Sequence, residues 1–197
     1  MTSQIPQTTS ADRYDPVAMS LHWIIAGLVL FLAALGLSWD YFPRGTRPFW
    51  LNIHAIVGLV FFALVIARAA WRATHKPPEL PADVDQLSKT LSHPLHLLMY
   101  GLMLTIAVLG IVAFIWHGRV FNFGLFTLDF GVASTRAVFH PAQSYHALAV
   151  YGLLGLIGLH AAAALWHHFW RRDGVLARML PAPAQPTPEL ARPARAS

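Results

Sequence analysis

Residues 145–170 read YHALAVYGLLGLIGLHAAAALWHHFW, an apolar block that contains no Asp, Glu, Lys or Arg. An α-helix needs about 20 apolar residues to cross a hydrocarbon core of roughly 30 Å, so this block is long enough to span a membrane. Its histidines are costly in hydrocarbon and are therefore candidates for a function. The block predicts a membrane-spanning helix that carries a polar site.

Three more blocks of the same kind precede it, at residues 17–39, 51–71 and 95–116. Trp or Tyr residues, which favour the membrane interface, border the blocks. The chain is 56% hydrophobic and 12% charged, unlike a soluble globular protein. A soluble four-helix bundle would show polar stripes, whereas these blocks are apolar on all sides. We therefore predict an all-α membrane protein, a bundle of four transmembrane helices.

An even number of spans places both termini on the same side of the membrane. With the termini inside, the outer loops carry four of the 14 Lys and Arg residues and the inner segments carry the other ten. Positive residues favour the cytoplasmic side, so both termini are predicted to be cytoplasmic. Contact with anionic lipid accounts for the net charge of +5, and no nucleic-acid partner is needed.

The chain divides into an N-terminal tail at residues 1–15, a four-helix domain at residues 16–180 and a C-terminal tail at residues 181–197. The C-terminal tail is predicted to be disordered, because it offers no core-forming residues. Prolines predict a surface linker at residues 73–92, and the longest outer loop covers residues 117–144. Cysteine is absent, which excludes disulfides and the covalent attachment of c-type haem.

The order of the helices places four histidines at two levels. His146 and His160 are 14 residues apart on the fourth helix, which separates them by about 21 Å along the axis but turns them by only about 40°. His54, near the outer start of the second helix, shares the level of His146. His22, near the inner start of the first helix, shares the level of His160. Two stacked pairs between helices predict two bis-histidine b-type haems.

Spacing alone leaves two alternatives open. His93 and His96 begin the third helix at the inner level, so either residue is also a candidate ligand of the inner haem. Clustered histidines also bind zinc or copper, as a metal-ion transporter would require. Carboxylates within the spans would favour the transporter, and no span interior contains one.

Two further features have a functional and a structural interpretation. His167 follows His160 by seven residues, keeps its face to within about 20° and lies about 10 Å closer to the inner surface. It either supplies a proton or hydrogen bond to a quinone or anchors the helix end, whereas His168 points elsewhere. The positive residues of the outer loops either attract an anionic electron donor or meet lipid phosphate and haem propionates; they are Arg44, Arg47, Arg119 and Arg136.

Five groups of residues resemble the bacterial cytochrome b561 family. They are Arg13-Tyr14-Asp15-Pro16 with Leu21-His22-Trp23, Asn52-Ile53-His54, Ser92-His93-Pro94-Leu95-His96, Tyr145-His146, and Gly158-Leu159-His160-Ala161-Ala162-Ala163. The resemblance extends from residue 12 to about residue 180. It implies a multi-pass protein of the bacterial inner membrane with two b haems, one held by His22 and His160 and the other by His54 and His146. His93 and His96 are thereby set aside as ligands.

The resemblance also implies electron transfer, and in some members the transfer of an electron from superoxide to ubiquinone. One hypothesis is therefore a stand-alone oxidoreductase that connects a donor such as superoxide with the quinone pool. Two histidines on each iron leave no open coordination position, so electrons would pass through the haem edge. A second hypothesis is a membrane anchor and electron conduit for a partner dehydrogenase, and a third is the metal-ion transporter.

Overall fold

The computed structural model describes residues 13–79 and 84–181, and four long helices make up most of them. Helix α1 covers Pro16–Leu37, α2 covers Arg47–Thr74, α3 covers Gln86–Trp116 and α4 covers Arg136–Trp166. Each is long and apolar enough to cross a membrane. The prediction of a four-helix membrane bundle is confirmed.

Helices α3 and α4 each begin nine residues before their apolar blocks, at Gln86 and Arg136. At α3 the carboxylate of Asp85 accepts hydrogen bonds from the amide of Ser88, at 2.8 Å, and from its hydroxyl, at 2.9 Å, so the polar stretch starts a helix. The predictions of a linker at residues 73–92 and of a loop at residues 117–144 are therefore wrong from Gln86 and from Arg136 onward, where the chain is helical. The change from apolar to polar residues indicates where a span leaves the membrane, but it does not indicate where the helix ends.

The backbones pack closely between α1 and α2, between α2 and α3, and most extensively between α3 and α4. Helix α4 approaches α1 and α2 less closely, so the backbones of these helices are farther apart. The centre of the bundle is filled by a cluster of buried apolar side chains, namely Ile25, Leu32, Phe61, Val65, Met103, Ile106 and Leu153. Leu153 lies midway along the helix between His146 and His160, so the cluster separates the two histidine levels.

The end of the bundle where α2 begins and α3 ends carries a small hairpin, and we call it the hairpin face. Strand β1 (Phe121–Asn122) pairs with β2 (Thr127–Leu128) in antiparallel orientation. The side chain of Asn52 fastens the hairpin to α2: its Nδ2 donates to the Asn122 carbonyl at 2.8 Å, and its Oδ1 accepts from the Asn122 amide at 2.9 Å. Strands of two residues have no sequence periodicity, and the hairpin was not predicted.

The opposite end, where α1 begins and α2 ends, is called the terminal face. There α4 gives way after Trp166 to a π-helical turn, His167–Arg171, and Arg172 then adopts a left-handed conformation with φ of 54°. The chain folds back across the terminal face through a 3₁₀ turn at Leu176–Met179. Most of the tails predicted at residues 1–15 and 181–197 lies outside the described residues.

Candidate functional site

Two histidines from different helices meet toward the hairpin face. The ring centroids of His54 on α2 and His146 on α4 are 6.2 Å apart, with the planes at 68°. The Nδ1–H of His146 donates to the Ile106 carbonyl on α3 at 2.8 Å. A neutral imidazole with its proton on Nδ1 keeps a lone pair on Nε2, the arrangement usual for a metal-binding histidine. The Nδ1 atom of His54 is buried without a hydrogen-bond partner among the described residues, so this ring is held by packing.

A second pair of the same form lies toward the terminal face. His22 on α1 and His160 on α4 have ring centroids 6.2 Å apart and planes at 70°. The indole of Trp23 lies 5.1 Å from the His22 ring, in an edge-on contact. The guanidinium of Arg68 donates to the Ala18 carbonyl, one turn before His22, at 2.6 Å. This pair therefore has an aromatic side chain and a fixed positive charge near it.

The separation of the rings agrees with two imidazoles that share one metal ion. A metal–imidazole bond is about 2 Å long and a ring nitrogen lies about 1.1 Å from the ring centre, so two axial imidazoles have centroids about 6.2 Å apart. Both pairs have this value. Both also lie where the backbone of α4 is farther from its neighbours, as a flat group between the helices would require. The residues present therefore fit a bis-histidine haem at each level.

The two remaining histidines at the terminal level do not have this geometry. The His96 ring is edge-on to His160 with centroids 5.3 Å apart, too short for two axial ligands of one ion. Its Nδ1–H donates to the Ser92 carbonyl within α3. His93 is exposed. The geometry therefore does not support His93 or His96 as a ligand of the inner haem.

Two glycines lie directly against the hairpin-face pair. A Cβ atom on Gly110 of α3 would come within 3.1 Å of Cε1 and 3.2 Å of Nδ1 of His146. A Cβ atom on Gly36 of α1 would come within 3.6 Å of Cε1 of His54. The first distance is tighter than ordinary packing and the second is ordinary contact. Gly110 thus gives the His146 ring room to reach the Ile106 carbonyl.

His167 lies in a buried hydrogen-bonded chain at the terminal face. Its Nδ1 contacts the carboxylate of Asp173, and both residues are buried, with relative exposures of 8% and 5%. Its Nε2 lies 3.3 Å from the hydroxyl of Ser88, which donates to Asp85 at 2.9 Å. The amide and hydroxyl of Ser88, together with Arg171 at 3.9 Å, lower the pKa of Asp85 below its ordinary value of 3.8. A continuous chain thus joins the end of α4 to the start of α3.

His167 keeps helical backbone angles, with φ of −58° and ψ of −41°, and the α-helical angle of about 100° per residue no longer applies to the residues of the π-helical turn that follow it. Asp173 and Ser88 were not among the predicted residues. The sequence Asp173-Gly174 does carry a signal that the helix stops.

A cavity of about 410 Å³ opens at the hairpin face, beside the start of α2. Its walls include Leu51, Asn52, Phe114 and Arg119. Leu51 is one helical turn from His54, which puts this part of the wall about 5 Å outward of the histidine pair. Of the four arginines predicted for this side, Arg119 lines the cavity, whereas the Arg47 guanidinium donates to the Phe42 carbonyl at 3.1 Å.

In residues 13–79 and 84–181, no group of three or more His, Asp or Glu side chains converges in a metal-binding arrangement. Paired imidazoles on neighbouring helices are an arrangement that can hold haem iron from two sides.

Comparison with known proteins places this geometry in a family. The sequence is 26% identical over 175 residues to "Probable superoxide oxidase CybB" of Yersinia pestis, which covers 86% of this chain and 96% of that protein. It is 26% identical over 177 residues to "Cytochrome b561 homolog 2" of Escherichia coli K12, covering 88% of this chain and 94% of the relative. It is 29% identical over 181 residues to "Cytochrome b562" of Cereibacter sphaeroides, covering 87% and 98%.

The sequence model of the family described as prokaryotic cytochrome b561 matches residues 13–182, which include all four helices and both histidine pairs. Membership of this family implies a b-type haem cofactor, electron transfer and a multi-pass location in the bacterial inner membrane. The chain belongs to the prokaryotic cytochrome b561 family.

Proposed function

We propose that the protein binds two b haems and transfers electrons across the membrane, from superoxide at the hairpin face to a quinone near the terminal face. The observation that carries this proposal is the presence of two histidine pairs, each with centroids 6.2 Å apart, at two levels of the same helix α4. The Yersinia pestis relative, named "Probable superoxide oxidase CybB", supports superoxide as the donor.

The four histidines would hold the haem irons, His54 with His146 at one level and His22 with His160 at the other. When bound, the two haem groups would supply one-electron oxidation and reduction at two depths in the membrane. The Ile106 carbonyl orients His146 through Nδ1, which would leave Nε2 available to hold the metal.

Arg119 would attract the donor at the hairpin face. Its positive charge lines the cavity of about 410 Å³, close to the level of His54. A positive group in a cleft raises the local concentration of an anion and its rate of association. Superoxide is small enough to enter and would leave as neutral O₂ after losing one electron. The hairpin, fastened by Asn52, forms one wall of this entrance.

The chain of His167, Asp173 and Ser88 would supply protons at the other end. Reduction of one quinone to quinol takes two electrons and two protons, so two superoxide anions give two O₂ and one quinol. The imidazole of His167 lies between Asp173 and the Ser88–Asp85 pair, and the side chain of Asp85 is accessible to water. A quinone headgroup beside this chain would receive its protons from the terminal face.

The positive-inside distribution supports a terminal face in the cytoplasm and a hairpin face outside. Electrons and protons would then reach the quinone from opposite sides of the membrane. Superoxide would be oxidised outside, and the protons of the quinol would be taken from the cytoplasm.

The test begins with the haem content of the purified chain. We expect two haems per chain, and two separable sets of b-type signals on reduction. In proteoliposomes that contain a soluble ubiquinone, superoxide from a xanthine oxidase system should reduce the quinone at least tenfold faster than in empty liposomes. Reduction at the spontaneous rate by a fully haem-loaded chain would contradict superoxide as the donor. One haem per chain would contradict the two-site transfer.

A further inference from the structure

After α4 the chain returns across the terminal face as a short segment, Asp173–Leu180, which we call the strap. The strap is fastened to the start of α1 by three hydrogen bonds. The Trp23 indole donates to the Met179 carbonyl at 2.7 Å, the Tyr14 amide donates to the Arg178 carbonyl at 3.2 Å, and the Arg13 guanidinium donates to the Leu180 carbonyl at 2.7 Å. The strap therefore runs from the end of α4 to the start of α1.

Arg178 fixes the middle of the strap. Its relative exposure is 2%, the lowest of the buried polar residues in the described chain. Its guanidinium donates to the carbonyls of Pro78 and Glu79, at 2.6 and 2.8 Å, and lies 5.6 Å from the centre of the Tyr14 ring. A buried guanidinium is stable only when its donors are satisfied. Arg178 thus joins the strap to the segment that follows α2.

The strap lies beside the terminal histidine pair. Trp23, which bonds to Met179, is also the edge-on neighbour of His22, at 5.1 Å. The helices that the strap connects are α1 and α4, which carry His22 and His160 and whose backbones make few close contacts. The strap therefore joins the ends of these two helices at the terminal face.

We propose that the strap determines which electron acceptors the protein can use, by closing the terminal face over the His22–His160 site. Soluble oxidants in the adjoining aqueous compartment are kept away from the site, and electrons leave only to an acceptor that is dissolved in the membrane. Exclusion of water and of side reactants is a known consequence of covering a reactive site. The proposal rests on the proposed function, since it concerns the acceptor of that same site.

Two truncations provide a matched test. A chain that ends after Gly174 keeps Asp173, the partner of His167, but lacks the contacts of Met179 and Arg178. A chain that ends after Pro181 keeps the whole strap and is the control. Both are placed in vesicles whose terminal face points outward, with orientation checked by cleavage of a tag at the C-terminus. The reduced proteins are then mixed with ferricyanide, which does not cross the membrane.

We expect ferricyanide to oxidise the shorter chain at least tenfold faster than the control, while the rate with a membrane-soluble ubiquinone changes less than twofold. Equal ferricyanide rates in the two haem-loaded chains would overturn the role of the strap and leave the proposed function standing. Absence of haem from the control would overturn the proposed function, and the present proposal with it.

A point variant and a second readout cover the case in which the shorter chain does not fold. Arg178→Ala removes the donors to Pro78 and Glu79, and Lys76→Ala removes an exposed cation of the same face as its control. Hydrogen exchange of the amides in the first two turns of α1 should rise at least tenfold in Arg178→Ala alone, with a faster ferricyanide reaction. Unchanged exchange in Arg178→Ala would overturn the proposal, because the strap would then not cover this end of α1.

Discussion

His96 stands edge-on to His160, with ring centroids 5.3 Å apart and ring planes at 81°. This is a closer approach than the 6.2 Å between His22 and His160. The shorter distance excludes a metal ion shared axially between His96 and His160, because two metal–nitrogen bonds of about 2 Å each would not fit. His96 is therefore a neighbour of the pair, whereas the 6.2 Å spacing agrees with His22 and His160 as two ligands of one ion.

Substitution of these two histidines should therefore have different results. We expect His22→Ala and His160→Ala each to reduce the haem content by about half, with the signals of the hairpin-face haem retained. His96→Ala should keep both haems and alter only the signals of the terminal site. Haem analysis with electron paramagnetic resonance separates these outcomes. If His96→Ala lost a haem and His22→Ala kept both, His96 would be the ligand and His22 its neighbour.

The contact between Gly110 and His146 predicts an effect of a single added methyl group. In Gly110→Ala the new Cβ would lie 3.1 Å from the imidazole, so the ring must move and weaken its bond to the Ile106 carbonyl. Overpacking of this kind costs about 1–3 kcal/mol, and we expect a lower melting temperature and a shifted signal from the hairpin-face haem. Gly36→Ala, with 3.6 Å to His54, is the control and should be close to wild type. Equal effects of the two would contradict the role of Gly110.

The bidentate contact of Asn52 predicts a local effect on the hairpin. Asn52→Ala removes both bonds to the Asn122 backbone, each worth about 0.5–1.5 kcal/mol, and should speed hydrogen exchange of the Asn122 amide more than tenfold. The control is Asn122→Ala, which removes only the side-chain bond to the Gly124 amide. If both variants protect the Asn122 amide equally, the hairpin is held by something other than Asn52.

The sequence was sufficient for the four helices and for the two histidine levels, because hydrophobic blocks and the rise of a helix are local properties. The sequence was not sufficient to predict which residues contact each histidine ring. Gly110 and Ile106 lie on α3 and contact His146 only after the helices have packed. Ser88 likewise contacts His167 only after α3 and α4 have packed. Arg178 counts in the sequence as one more inner cation, but its side chain is buried.

The buried contact between His167 and Asp173 predicts a defect in quinone reduction. Asp173→Asn keeps the shape of the side chain but removes the charge that faces the imidazole. We expect at least a tenfold slower quinone reduction, with haem content and electron entry from superoxide unchanged. The control is His168→Ala, which changes the residue next to His167 on the same π-helical turn and should retain more than half of the rate of quinone reduction. Loss of haem in Asp173→Asn would indicate a structural role for the pair instead.

The caps of α1 and α3 predict how stability depends on pH. For Asp15, burial raises the pKa, but hydrogen bonds from the Ala18 amide and the Trp71 indole outweigh it and lower the pKa. For Asp85, the amide and hydroxyl of Ser88 lower the pKa. A carboxyl with a lower pKa in the folded state stabilises it fully above the unfolded pKa of about 4, and this stabilisation is lost as the pH falls through the folded value. The melting temperature in detergent should therefore be nearly constant above about pH 5 and fall below about pH 4.

Variants at the α3 cap test the source of this fall. In Asp85→Asn the side chain can still cap the helix but no longer titrates, so we expect a lower melting temperature at neutral pH and a shallower decline in acid. Ser88→Ala removes the hydroxyl that donates to Asp85, so the carboxyl pKa should rise toward its ordinary value and the decline should begin at a higher pH. If Asp85→Asn declined as steeply as the wild type, the acid sensitivity would have to arise elsewhere, with Asp15 as the next residue to substitute.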